Sequence, residues 1–176
     1  MTAYRDRLFR AIKLDPDLYE EVEADHTANG QAALTVVLSS VAAGVGGAVS
    51  GGWYGLLLHT AVALIGWVVW AFLSYFIGTR LLPEHQTSAD MGELLRCTGF
   101  SSAPGMIQVL GFLPGLGGVV RLAAAVWMLA AFVVAVRQAL DYTSTLRALS
   151  VCAIGWVVLM ALNVVLFMVS FGRFTL

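Results

Sequence analysis

The chain has 176 residues, of which 59% are hydrophobic and 12% charged, with a formal net charge of −1. A soluble domain carries about 25% charged residues. The composition therefore excludes an ordinary soluble globule, and the neutral balance excludes a basic nucleic-acid surface. Cys97 and Cys152 fit no metal or redox spacing and make no disulfide framework.

Residues 4–13 read as a short amphipathic helix. Tyr4, Leu8, Phe9 and Ile12 share one face, and Arg5, Arg7, Arg10 and Lys13 occupy the rest. Such a helix suits an anionic membrane surface; packing against cytoplasmic loops fits it equally. Asp15-Pro16 then starts a second helix, with Asp15 as N-cap and Pro16 in the first turn. It carries Asp17, Glu20, Glu21, Glu23 and Asp25, a solvated acidic face without the spacing of a calcium loop. Leu18, Tyr19 and Val22 form a narrow apolar stripe suited to docking on the rest of the protein. No cleavable signal peptide is expected, because this polar region precedes the first apolar run.

Residues 27–79 contain no Asp, Glu, Lys or Arg. That length holds two membrane spans of about 20 residues each and a turn. The spans are placed at 32–49 and 56–81, with Trp53 and Tyr54 suited to the headgroup zone. Ala43, Gly47 and Gly51 repeat every four residues, as do Gly44, Ala48 and Gly52. Small residues at this spacing let two helices approach closely, and the second span is the expected neighbour. His59 lies inside the second span. An intramembrane histidine can relay protons or bind a metal, but a neutral, hydrogen-bonded one is the expectation here.

The third segment, 97–120, is charge-free but broken. Ser101 and Ser102 suit a helix cap, Pro104 a first turn, and Pro114-Gly115-Leu116-Gly117-Gly118 a stop. The ten residues between the prolines would make only about 15 Å of α-helix. The segment is thus a hairpin with one short limb or a loop that turns inside the membrane. Gln108 is expected to hydrogen-bond across helices, as is Asn163 in the fifth span. Arg121 follows the glycine-rich turn, either as a snorkelling anchor or as a buried cation. The fourth and fifth spans are placed at 122–136 and 148–172.

The expected fold is an all-α integral membrane bundle of about five transmembrane segments. Residues 1–30 form a cytoplasmic helical region and 31–176 the transmembrane domain. Eight basic residues (Arg5, Arg7, Arg10, Lys13, Arg80, Arg96, Arg137 and Arg147) fall on one side, against Arg121 and Arg173 on the other. The positive-inside rule makes the N-terminus cytoplasmic, in a plasma (inner) membrane.

Several stretches resemble bacterial members of the Yip (Ypt-interacting protein) family. These are 11–25, 89–96, 99–105, 114–118, Trp127 and 136–143. The resemblance implies a cytoplasmic N-terminal region followed by about five membrane segments. Relatives that bind Rab-type GTPases in vesicle traffic have a long N-terminal domain that is lacking here, so only the fold is carried over.

No catalytic motif is present, and no cofactor or metal is expected. The expected function is that of a non-enzymatic scaffold or accessory subunit in membrane organisation. Its partners would be the lipid bilayer, other membrane proteins or a second copy of the chain. The alternative is a transporter or channel component, with a path near Pro104, Gln108, Pro114, Gly115, Gly117, Gly118, Arg121 and Asn163. A lipid enzyme would have to use His85, Asp90 and Glu93, which alone lie together near an interface.

Overall fold

The computed structural model describes residues 4–47 and 52–172, except for the side chains of 163 and 165–172. All regular structure among them is helical. The helices are α1 (Tyr4–Ile12), α2 (Pro16–Ala24), α3 (Asn29–Gly46), α4 (Gly52–Phe76), α5 (Met91–Phe100), α6 (Gly117–Ala139) and α7 (Thr145–Gly172). A π-helical turn, Ile77–Leu81, extends α4, and a 3-10 helix, Ala103–Phe112, follows α5. Among the described residues four helical segments are long and apolar enough to cross a membrane: His26–Gly46, Gly52–Leu81, Gly117–Ala139 and Thr145–Leu162.

The third expected segment is composite and is not among these four. It begins at α5, earlier than the charge-free run implied, because Asp90 and Glu93 form a capping box there. Ser101 and Ser102 do not cap the 3-10 helix. Their hydroxyls bond back to the carbonyls of Thr98 and Gly99, three residues earlier. At about 1.5 Å per α residue and 2.0 Å per 3-10 residue, α5 and the 3-10 helix contribute roughly 15 and 20 Å.

This composite segment runs parallel to α3 for that helix's whole length. A Cβ on Gly99 would meet Ala32, one on Gly105 would meet the Ser39 hydroxyl, and one on Gly46 would lie 1.7 Å from the Gln108 carbonyl oxygen. Gly111 closes the series against Gly46. Contacts thus recur every seven residues on α3 and every six on its neighbour. Seven residues make about two turns of α-helix and six make two turns of 3-10 helix, so both periodicities keep one face in contact. The closest approach of α3 therefore falls on Ala32, Ser39 and Gly46. Of the small residues singled out in sequence, Ala43 faces a cavity and Gly47 is the C-cap of α3; Gly51 and Ala48 lie outside the described residues.

The long elements close a ring. Helix α3 packs on α4, α4 on α7, α7 on α6, α6 on the 3-10 helix, and the 3-10 helix on α3. Burial along the ring is uneven. In α4 it is confined to Ala71 and Ser74, continuing into Ile77 and Gly78 of the π turn. In the first turns of α7 it falls on Ala148, Val151, Cys152 and Gly155. These two helices meet at that end, where Trp70 lies against Gly155, and expose their apolar faces beyond it.

Helices α1 and α2 cover the same end, called here the N-terminal face. The expected stripe of Leu18, Tyr19 and Val22 is fully buried, against α5 and α6. The basic residues of α1 divide. Arg7 is 5% exposed and donates to Glu21, Asp25 and Gln31, and Arg10 pairs with Asp15 and Glu21. Only Arg5 and Lys13 stay exposed, flanking Phe9. Trp127 of α6 donates to the Ile12 carbonyl at 2.9 Å, and the Tyr4 hydroxyl lies 3.0 Å from that of Thr35. The hairpin is thereby tied to α3 and α6.

Candidate intramembrane site

Five segments of the ring line a cavity of about 810 Å³. Its walls are mainly apolar, including Met128, Phe132 and Trp156. Two tryptophans of α4 form part of its lining. The Trp67 indole N–H points to the Leu95 carbonyl (3.2 Å) and the Thr98 hydroxyl (3.1 Å), which fixes α4 against α5. Trp70 meets Phe132 edge to face, with ring centroids 5.5 Å apart.

Polar groups gather at one level of the wall. Ser40 bonds to Thr60 across α3 and α4 (3.2 Å), which sets His59 level with Ser39. Gly105 against Ser39 and Gly46 against Gln108 bring Gln108 to the same region. Ser39, His59 and Gln108 all line the cavity. The Gln108 amide makes one contact, a 3.9 Å approach to the Met128 sulfur, and a thioether is a weak acceptor. Ser39 is 5% exposed and His59 is exposed; among the described residues neither side chain has a hydrogen-bond partner.

The remaining candidates lie elsewhere. Pro104 is buried at the start of the 3-10 helix. Pro114, Gly115 and Gly118 are exposed and Gly117 half-buried at the turn into α6, where Gly115 has φ +79. That left-handed conformation is one a glycine adopts readily. Arg121 is exposed and does not line the cavity. The Asn163 side chain lies outside the described residues. Asp90 and Glu93 are engaged with each other's backbone N–H groups. Among the described residues no three His, Cys, Asp or Glu side chains are grouped to hold a metal ion.

A second, polar basin of about 680 Å³ lies on the N-terminal face, lined by residues that include Glu20, Glu23, Gln86, Arg137 and Asp141. Burial, with Glu93, Asp141 and Glu20 nearby, pushes the Glu23 carboxyl up to about 7. Tyr142 holds the basin's rim: its hydroxyl reaches the carbonyls of Gly78 (3.0 Å) and Leu82 (2.8 Å) at the π turn. Burial pushes its pKa up to about 12.

Sequence reading missed Arg96, counted there as a loop charge. It is 1% exposed and donates to the Val22 and Glu23 carbonyls at the end of α2. Its burial carried no signal in the sequence, where Glu93 three residues earlier offers an ordinary surface partner. Trp67 carried no signal beyond its apolar surroundings.

No curated protein and no solved structure matches the chain. The family model described as the Yip1 domain matches residues 11–166, from the end of α1 to within α7, and the chain therefore belongs to the Yip1 family of membrane proteins.

Proposed function

We propose that this Yip1-family protein is a non-catalytic, non-conducting scaffold or accessory subunit of the plasma membrane. Residues 1–30 form a cytoplasmic cap on the membrane unit 31–176. The charge count supports that orientation, with eight basic residues on the capped side. Partners dock on the N-terminal face, where the acidic side chains of α2 rim a polar basin. Arg121 anchors the far turn to lipid headgroups.

One observation carries the non-conducting reading. Arg121 stands outside the cavity, and among the described residues no Asp, Glu, Lys or Arg lines it. A transport path needs polar groups continuing from one face to the other, whereas the walls of this cavity are mainly apolar.

The test uses the full chain in liposomes and in mild detergent. Ion and small-solute flux should not exceed that of protein-free vesicles. A stoichiometric co-purifying partner should be lost on Glu20→Lys. Flux abolished by Gln108→Ala would establish the transporter reading instead.

A further inference from the structure

We propose that the intramembrane cavity holds one acyl chain of a bilayer phospholipid, with the glycerol-ester region of that lipid bonded to Gln108, Ser39 and His59. The lining of the cavity carries this inference. It is mainly apolar, and Ser39, His59 and Gln108 in it lack strong partners of their own. Ser39 is 5% exposed and its hydroxyl is unpaired among the described residues. In an apolar surrounding such a hydroxyl is unfavourable unless something bonds to it. Gln108 offers amide donors that meet only a thioether sulfur. Ester carbonyls are acceptors and fit those donors.

The apolar lining fits a hydrocarbon chain. From His59 to Trp67 and Trp70 the α4 wall runs eight to eleven residues, or about 12–16 Å. The hydroxyls of Thr98, Ser101 and Ser102 are bonded to carbonyls of their own segment, so they make no demand on an occupant. Apolar residues of α4 and α7 beside the cavity, among them Val62, Ile65 and Val157, are exposed and meet lipid.

Gly66 provides the test. It lines the cavity, and a Cβ there would meet nothing within 4 Å. Gly66→Leu therefore fills the cavity without moving the backbone. Detergent-purified full-length protein is titrated with dioleoylphosphatidylglycerol and read by native mass spectrometry. It is titrated in parallel with the acyl-brominated form and read by tryptophan quenching, since Trp67, Trp70 and Trp156 line the site. Wild type should bind one lipid per chain, with saturable quenching. Gly66→Leu should bind at least tenfold more weakly while keeping wild-type helicity, and Gln108→Leu several-fold more weakly. Should Gly66→Leu fail to fold, Ala63→Leu fills the same wall and is read in the same way. Equal lipid occupancy in wild type and the filled variant would overturn the proposal. So would a free fatty acid as the retained species, or a dimer that the filled variant dissociates. None of these outcomes bears on solute flux, so the scaffold reading stands or falls separately.

Discussion

The Arg96 guanidinium donates through Nε to the Val22 carbonyl oxygen at 2.9 Å, joining residues 74 positions apart in sequence. The last carbonyls of a helix have no partner within it, and at the end of α2 that partner comes from α5. Charged side chains near a helix C-terminus both satisfy these groups and oppose the dipole. Arg96→Met should leave two buried carbonyls unpaired and destabilise the fold by about 3 kcal/mol, taking 1–3 kcal/mol for each. Thermal unfolding in detergent and protease release of residues 1–30 both measure this.

The contact of Gly46 with the Gln108 carbonyl leaves no room for a side chain. Gly46→Ala must separate α3 from the 3-10 helix, and the thermal midpoint should fall sharply. Gly30, in the first turns of the same helix, has open space around it. Gly30→Ala should stabilise by up to about 1 kcal/mol through helix propensity. Opposite signs at two glycines of one helix separate packing from propensity.

Two helices end without the glycine usual at such a stop. After α1, Leu14 has φ 61, with Asp15 N–H bonded to the Arg10 carbonyl; after α6, Asp141 has φ 53, with Tyr142 N–H bonded to the Arg137 carbonyl. Both are the six-to-one closure of a Schellman turn. Asp141 is exposed, so Asp141→Gly relieves the left-handed strain and should raise stability by about 1 kcal/mol. Differential scanning in detergent reads it.

The raised carboxyl of Glu23 gives stability a definite slope with pH. Its folded pKa, about 7, lies above the ordinary 4.5, so the folded state holds the proton more tightly. The stabilisation is complete below about 4.5 and is lost as pH rises through about 7. Glu23→Gln should remove this slope and be the more stable form above pH 7. Asp25 acts in a separate window. Hydrogen bonds from Thr27 and Arg7 hold its carboxyl down to about 2, so its contribution is lost only as pH falls towards that value.

Local chemistry was legible in the sequence where one residue type acts on its immediate neighbours. Asp15-Pro16 starts α2, and Leu18, Tyr19 and Val22 are its buried stripe. The long charge-free runs became α3 and α4, and the broken third segment stayed broken. What escaped depended on distant partners. Ser101 and Ser102 look like forward caps because the same hydroxyls serve either direction. Arg7, Arg10 and Arg96 look like solvent charges until α2 supplies carboxylates and carbonyls for them. The cavity was half visible: His59 and Gln108 stood out as polar residues in apolar runs. Nothing linear joined them to Ser39 or set Arg121 apart.

The proposal that the protein does not conduct is tested most directly by accessibility from the N-terminal side. Gln108→Cys is placed in a chain carrying Cys97→Ala and Cys152→Ala, with exposed Asp17→Cys as the control. A membrane-impermeant maleimide applied to the N-terminal face of reconstituted vesicles should modify the control fully and leave position 108 untouched. Modification at 108 from that side would contradict a non-conducting protein.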